Sequence, residues 1–398
     1  VGEREIRILL HSNAPWMNTG YSGQAALLSP RLAALGHEVI LSAFAGLQGS
    51  ETAWSGHRVL PGGQAILGDD ILPFHARAVK ADLVITLMDT WAADPERFRD
   101  MRQDCAVAPW VPVDCEPLSV KDAAFLAVSG VRPIAMSRFG QRMLEAAGFP
   151  AFYVPHSVDT SVFRPPADRE ACRRKLGLAD RWVVAVNASN ADGFRKNFPG
   201  QFEAFARFRR AHPEALLLVH SLVSAPQGLN LIAMAERIGI TDAVRFSDQY
   251  AKLAGLIGPA DLAEWYGACD LVSNCALGEG FGLAVLEAQS CGTPVAVTDC
   301  SAMTELCGSG WKVSGEPWWN ETFGSWWTAP PIDGIVRAWE KAYAATHEVS
   351  PDGIPPCRAK ARRFALRYDA DRVMQKYWEP ALRELASEVS AGERGALP

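Results

Sequence analysis

The 398-residue sequence lacks several signatures that would classify it at once, and each absence excludes something. No stretch approaches the roughly 20 consecutive apolar residues that a membrane-spanning helix needs. Nine cysteines are scattered without a CxxC pair, and Cys291, Cys300 and Cys307, although close in sequence, lack zinc-finger spacing. Free or buried thiols of a reducing compartment are therefore expected, and no structural metal. Basic charge is not in excess: 39 Lys and Arg stand against 45 Asp and Glu, for a net charge of -6. A domain built to wrap nucleic acid is usually basic, so this balance weighs against one. No GxGxxG loop marks a nicotinamide or flavin site. The charged start, Val1-Gly2-Glu3-Arg4-Glu5, carries no basic segment followed by an apolar one, so a cytoplasmic location is expected.

What is present describes a globular α/β chain, 48% hydrophobic and long enough for two domains. Ile6–Leu10 reads as a strand, His11–Gln24 as a loop, Ala25–Leu35 as a helix ended by Gly36, and Val39–Leu41 as the next strand. This is a βαβ unit, the mark of a parallel sheet. Strands follow at Leu83–Leu87, Ala106–Val113 and Pro133–Met136, with a helix at Gln141–Ala147; Leu47–Ala65 is expected to be irregular. A second series begins after Arg164-Pro165-Pro166. Its strands are Trp182–Val186, Ala215–Val219, Val244–Phe246, Leu271–Ser273 and Pro294–Val297, and its helices Asn197–Ala211, Asn230–Gly239, Asp261–Ala268 and Leu283–Ser290. The domains are placed at 1–154, with a C-terminal helix of about 377–398 added to the first, and at 155–376. A bend is expected at Pro380.

The most informative stretch is Gly278-Glu279-Gly280-Phe281-Gly282-Leu283, leading to Glu287. It lies between a strand and a helix. Small residues there let a phosphate approach backbone N–H groups, and the helix dipole favours its charge. Glu287 lies one turn into the helix, where a carboxylate can accept two hydrogen bonds from a ribose diol. Glu279 stands just ahead of the glycines, within reach of sugar hydroxyls.

Glu279 to Glu287 resembles the E-x7-E motif of retaining glycosyltransferases with the GT-B architecture, family four. The surrounding residues agree: Leu262-Ala263-Glu264-Trp265-Tyr266-Gly267-Ala268-Cys269-Asp270, Cys291 to Val297, Glu305-Leu306, and Val154-Pro155-His156-Ser157-Val158-Asp159 with Phe163-Arg164-Pro165. The resemblance implies an α/β fold of two Rossmann-like domains facing across a cleft, with the C-terminal helix crossing back to the first. It implies transfer of a sugar, with retained anomeric configuration, from a UDP- or GDP-sugar to a hydroxyl acceptor, without a prosthetic group or essential metal. Glu287 would bind the donor ribose. Glu279 and the backbone of Gly280, Phe281, Gly282 and Leu283 would hold sugar and diphosphate, and Lys196 would neutralise the diphosphate. The family's Arg before that lysine is missing, since Ala188-Ser189-Asn190 stands there; Arg195 is the candidate substitute.

In the first domain, Gly20 of the loop Asn18–Gln24 corresponds to the family's glycine loop. Asp114 and Asp89 follow strands whose C-terminal ends are where α/β sheets place ligands. Asp114 would orient or deprotonate the acceptor, or support the oxocarbenium-like charge. No role is assigned to His156. The Trp-rich segment 311–327 either anchors a loop or lines an acceptor site, and Asp369-Ala370-Asp371 reads as a solvated or capping pair. Acceptors open to this reading are a glycan, a protein or another biomolecule. Some segments resemble phage and bacterial variants of the family, which adds a hydroxymethylated DNA base and a host-cytoplasm location. The rival reading is a non-catalytic two-domain nucleotide-sugar-binding protein. Oligomeric state is not legible.

Overall fold

The computed structural model describes residues 5–348, 350–351 and 353–391, with side chains described to 388. Residues 392–398 of the expected C-terminal segment lie outside the described residues. Contacts divide the chain into two units. The first comprises residues up to Ser157, Asn320–Ser325 and the chain from Ala370 on; the second comprises Val158–Trp319 and Trp326–Asp369. The short segment 320–325 was not foreseen as part of the first unit.

The first unit holds eight strands: β1 (Arg7–Asn13), β2 (Glu38–Ala45), β3 (Thr52–Trp54), β4 (His57–Leu60), β5 (Leu83–Leu87), β6 (Ala106–Val111), β7 (Ile134–Ala135) and β8 (Phe152–Tyr153). Their order is β3-β4-β2-β1-β5-β6-β7-β8, and all pairs are parallel except β3 with β4. The chain runs outward from β1 to one side, then returns to place β5 on the other. This reversal is a topological switch point, and ligands bind outside the strand ends at such points. The core strands read as apolar runs because both faces are covered: β5 and β6 are buried throughout.

Two local readings are corrected here. The first helix spans Gly20–Ala34 and not Ala25–Leu35, because Thr19 accepts a hydrogen bond from the Ser22 N–H and starts the helix five residues earlier. Gly20 and Gly23 disguised this start. The stretch 47–65 is not wholly irregular, since it contains the β3–β4 hairpin. At the other end, Met374–Trp378 forms a π-helical turn that runs into the helix Glu379–Ala391. Pro380 is the second residue of that helix and follows directly on the π-helical turn. Trp378 packs edge-on against Trp110 of β6 at 4.9 Å, and Arg132 pairs with Glu384 and Glu388. The C-terminal helix therefore belongs to the first unit.

The second unit has a fully parallel six-stranded sheet: β9 (Trp182–Asn187), β10 (Ala215–His220), β11 (Val244–Phe246), β12 (Leu271–Asn274), β13 (Val295–Thr298) and β14 (Gly310–Val313). The order β11-β10-β9-β12-β13-β14 puts the switch point between β9 and β12. The helix Phe198–Phe208 carries Phe198, Phe202, Phe205 and Phe208 at helical spacing, all fully buried against Val184, Val186 and Trp339. Burying each such side chain contributes about 1.5–3 kcal/mol, and this packing fixes the helix start at Asn197. At the opposite end of the sheet, Asp270 accepts from Arg173 at 3.1 Å and from the Val183 N–H at 2.8 Å. That motif residue ties β9 to β12; it is scaffold, remote from the strand ends that hold ligands. A separate hairpin, β15 (Glu316–Asn320) with β16 (Ser325–Ala329), occupies the Trp-rich segment.

All nine cysteines are free thiols, six of them buried. Among the described residues, no helix is long and apolar enough to cross a membrane, and no group of three or more His, Cys, Asp or Glu is placed to hold a metal ion.

Candidate functional site

Loops leaving the C-terminal ends of β9 and β12 converge at the second unit's switch point. The β9 loop delivers Arg195 and Lys196, and the β12 loop delivers Glu279. Three hydrogen bonds to backbone carbonyls join the loops: Leu277 N–H to Arg195 O at 2.8 Å, Asn197 Nδ2 to Cys275 O at 3.0 Å and Arg195 Nη1 to Gly278 O at 3.3 Å. Asn197 takes a left-handed conformation, φ 49°, and its side-chain oxygen accepts from the Gly200 N–H, capping the helix behind the loop.

At the centre, Lys196 Nζ donates to Glu279 Oε1 at 2.5 Å, with both side chains only 11% exposed. Arg195 reaches Glu279 Oε2 at 3.4 Å, Asn274 Nδ2 donates to Oε1 at 3.3 Å, and the Glu279 N–H donates to Ser301 Oγ at 3.1 Å. Burial alone would push the Glu279 carboxyl up. The charges of Lys196 and Arg195, with hydrogen bonds from Lys196 and Asn274, outweigh it and hold the carboxyl below its ordinary range. Lys196 is lowered, by burial first and then by Arg195, against the pull of Glu279. Two cations and two carboxylates are thus gathered here, since Asp192 also lies 3.7 Å from Arg195, and an incoming anion competes with the carboxylates for the cations.

Behind Glu279, Gly280 and Phe281 are buried, and Gly282 begins the helix Leu283–Ser290 with φ 102° and no side-chain cap. The first N–H groups of a helix have no intrahelical partner. With a glycine at the cap they stand open to an anion, aided by the dipole. A Cβ at Gly282 meets nothing nearer than Leu306 at 3.7 Å, so the glycine is required by its φ and not by crowding. Gly282→Ala is accordingly expected to destabilise the protein by about 1–3 kcal/mol through backbone strain. Urea unfolding with an unchanged m-value checks this.

One turn into that helix, Glu287 is half-buried and accepts from the Tyr266 hydroxyl at 2.8 Å; the same hydroxyl accepts from Asn187 Nδ2 at 2.6 Å, at the end of β9. Burial pushes the Glu287 carboxyl up to about 7, with the Tyr266 hydrogen bond only partly opposing it. Tyr266, Asn274 and Ser301 were not singled out from the sequence as site residues. Tyr266 lay inside a quoted motif, but its hydroxyl contact with Glu287 depends on helix packing that spacing does not reveal. Ser301, at φ 48°, lies in a turn whose sequence carries no such signal.

In the first unit, Gly20 is the exposed first residue of its helix at the end of β1, with Asn13 Nδ2 bonded to the capping Thr19. Tyr21 of that helix donates to Asp89 Oδ1 at 3.2 Å. Asp89 and Asp114 follow the neighbouring strands β5 and β6 and are both half-buried. Close enough to feel the charge of both is Asp122, which accepts from Thr90 at 2.7 Å and from Ser119 at 2.6 Å. Its carboxyl is pushed up to about 6, by burial first and also by the charges of Asp114 and Asp89. His156 packs its buried ring 4.3 Å from Trp110, and burial lowers it to about 3. Burial thus favours its neutral form. Asp369 accepts from Thr160, and Asp371 pairs with Arg31, so the Asp-Ala-Asp sequence serves two separate structural contacts.

Comparison with known proteins agrees with this geometry. Residues 187–318, which contain every second-unit residue named for the anion site, match the family model described as glycosyl transferases group 1. A D-inositol 3-phosphate glycosyltransferase of Stackebrandtia nassauensis is 36% identical over 164 residues, 39% of this chain and 35% of that protein. The chain thus spans about a third of the length of that curated relative. Two solved structures resemble nearly the whole chain. Sucrose-phosphate synthase from Thermosynechococcus elongatus has a TM-score of 0.72 at 17% identity, covering 96% of this chain and 100% of that one. HepE from Anabaena, in complex with UDP-glucose, has a TM-score of 0.69 at 16% identity, covering 95% and 100%. At such identities the likeness shows the fold: two Rossmann-like α/β units of the GT-B type.

Proposed function

We propose that this chain, whose residues 187–318 form a glycosyl transferases group 1 domain, transfers a sugar from a nucleoside-diphosphate sugar to a hydroxyl acceptor. The observation that carries this reading is the pairing of Lys196 and Arg195 with Glu279, just ahead of the uncapped helix start at Gly282, at the switch point of the second sheet. Breaking the glycosidic bond leaves negative charge on the departing diphosphate. Fixed cations and open N–H groups stabilise that charge more than they stabilise the bound donor.

In this reading Glu287 accepts hydrogen bonds from the donor ribose, and Glu279 holds hydroxyls of the transferred sugar once Lys196 turns to the phosphate. UDP is the nucleotide we favour, because HepE was solved with UDP-glucose. Asp114 and Asp89 are the groups assigned to the acceptor. The family resemblance supports retention of configuration without a bound metal. The C1–O bond to phosphate breaks with its electron pair going to the phosphate oxygen. The acceptor oxygen bonds to C1 from the same face and passes its proton to that phosphate oxygen. Glu279, held through both carboxylate oxygens by cations, is poorly suited to act as a covalent nucleophile. The curated relative's name supports a cyclitol or sugar hydroxyl as acceptor; no comparison supports a DNA base.

A thermal-shift panel of UDP, GDP, ADP and TDP tests the donor site, because a ligand that binds the folded state raises its apparent stability. One nucleotide is expected to raise the Tm, and Glu287→Ala to abolish the rise. No shift with any of them at millimolar concentration sinks the reading. Proton NMR of the product's anomeric centre tests retention.

A further inference from the structure

The β15–β16 hairpin carries four tryptophans. Strand alternation places Trp318 and its cross-strand neighbour Trp327 on one face. The Trp318 ring stacks on Trp327, with centroids 5.7 Å apart and planes at 14°, and also on Phe194, at 6.3 Å and 29°. Trp327 is buried, whereas Trp318 is 37% and Phe194 66% exposed. Rings this open contribute little to a core, so the stack needs another explanation.

Phe194 directly precedes Arg195 and Lys196. Its N–H and that of Arg195 both donate to Asp192 Oδ1, at 3.2 and 2.7 Å, which folds the segment into a tight turn. From the hairpin, the Thr328 N–H donates to Leu277 O at 3.0 Å, and the Leu277 N–H donates to Arg195 O at 2.8 Å. The contacts therefore close a ring: Phe194 to Trp318 to Trp327, along the strand to Thr328, across to Leu277 and back to Arg195. The turn is held from inside by backbone hydrogen bonds and from outside by stacked rings. Such a turn has a physical purpose. Lys196 is bound to Glu279, and when an anion arrives the ammonium group must exchange that partner while its backbone stays in place. Two adjacent cations drawn toward one ligand otherwise pull the loop with them.

We propose that the Phe194–Trp318 stack is a positioning device that fixes the Arg195–Lys196 turn for the outer phosphate of a nucleoside diphosphate. This rests on the donor-site reading of Lys196. Neither ring is assigned contact with the ligand.

The experiment measures UDP and UMP affinity by calorimetry for wild type, Phe194→Ala, Trp318→Ala, the double variant, Trp318→Phe and, as a control, Lys196→Ala. Stacked aromatic pairs are worth enough that losing one should weaken UDP binding about threefold to tenfold. UMP, which lacks the outer phosphate, should bind within about twofold of wild type throughout. The double variant should be no weaker than the weaker single one, because both remove the same contact, and Trp318→Phe should restore most of the loss. Equal losses for UDP and UMP, additive losses in the double variant, or no loss at all overturns the proposal. Phe194→Ala removes a largely exposed ring, so it keeps the test open if Trp318→Ala folds poorly. If Lys196→Ala binds UDP as wild type does, the donor-site reading itself fails. If Lys196→Ala loses UDP while both ring variants keep it, only the stack proposal fails.

Discussion

Lys196→Ala is expected to slow sugar transfer by about two to three orders of magnitude, the usual loss when a fixed group facing developing charge is removed. The same substitution also removes the 2.5 Å partner of Glu279. Glu279 keeps Arg195 at 3.4 Å, so the stability loss should stay below the roughly 3–5 kcal/mol of a fully unpaired buried charge, but lost activity alone still does not separate catalysis from folding. A paired substitution does. In Lys196→Met with Glu279→Leu, both charges give way to apolar side chains of similar volume, a change that is often neutral for stability. The double variant is expected to recover the thermal stability lost by Lys196→Ala and to remain inactive. Released nucleoside diphosphate and the Tm, measured on the same preparations, check both halves. A stable double variant that transfers sugar at a near wild-type rate assigns the pair a structural role only.

The residues proposed for the donor could be picked out together because they lie close in sequence. Glu279, Gly282 and Glu287 lie within one strand–loop–helix connection, and the helix Leu283–Ser290 has the bounds that apolar spacing predicts. The strands Leu83–Leu87 and Val244–Phe246 were equally plain, being short apolar runs between turn residues. Reading failed where local signals compete. Gly20 and Gly23 count against a helix start, yet Thr19 caps one there and tertiary packing keeps it. The hairpin formed by Glu316–Asn320 and Ser325–Ala329 was visible only as a density of tryptophan, because its ring contacts with Phe194 span more than 120 residues. The hydroxyl of Tyr266 and the buried carboxyl of Asp122 have the same character. Their importance comes from what the fold places beside them, and spacing carries none of it.

The pH dependence of nucleotide binding should report Glu287 directly. With its carboxyl at about 7 in the ligand-free protein, about half is ionised at neutral pH. A ribose diol donates hydrogen bonds and so selects the carboxylate. The binding-competent fraction rises from about a tenth at pH 6 to about nine-tenths at pH 8, which tightens UDP binding about tenfold. Binding at pH 7 should also release a proton, seen as a dependence of the calorimetric enthalpy on the buffer's own ionisation enthalpy. Stability runs the other way. A carboxyl raised above its unfolded value of 4.5 binds more protons in the native state across the window from 4.5 to about 7. The stability it contributes is therefore full below that window and is lost as pH rises through it. Over the acid-to-neutral range the ligand-free protein should lose this contribution while its affinity for UDP grows. Glu287→Gln should flatten both trends. The titration of UDP's own phosphate is common to both proteins and cancels in their ratio. A wild-type to Glu287→Gln ratio that stays constant from pH 6 to 8 removes Glu287 from the ribose site.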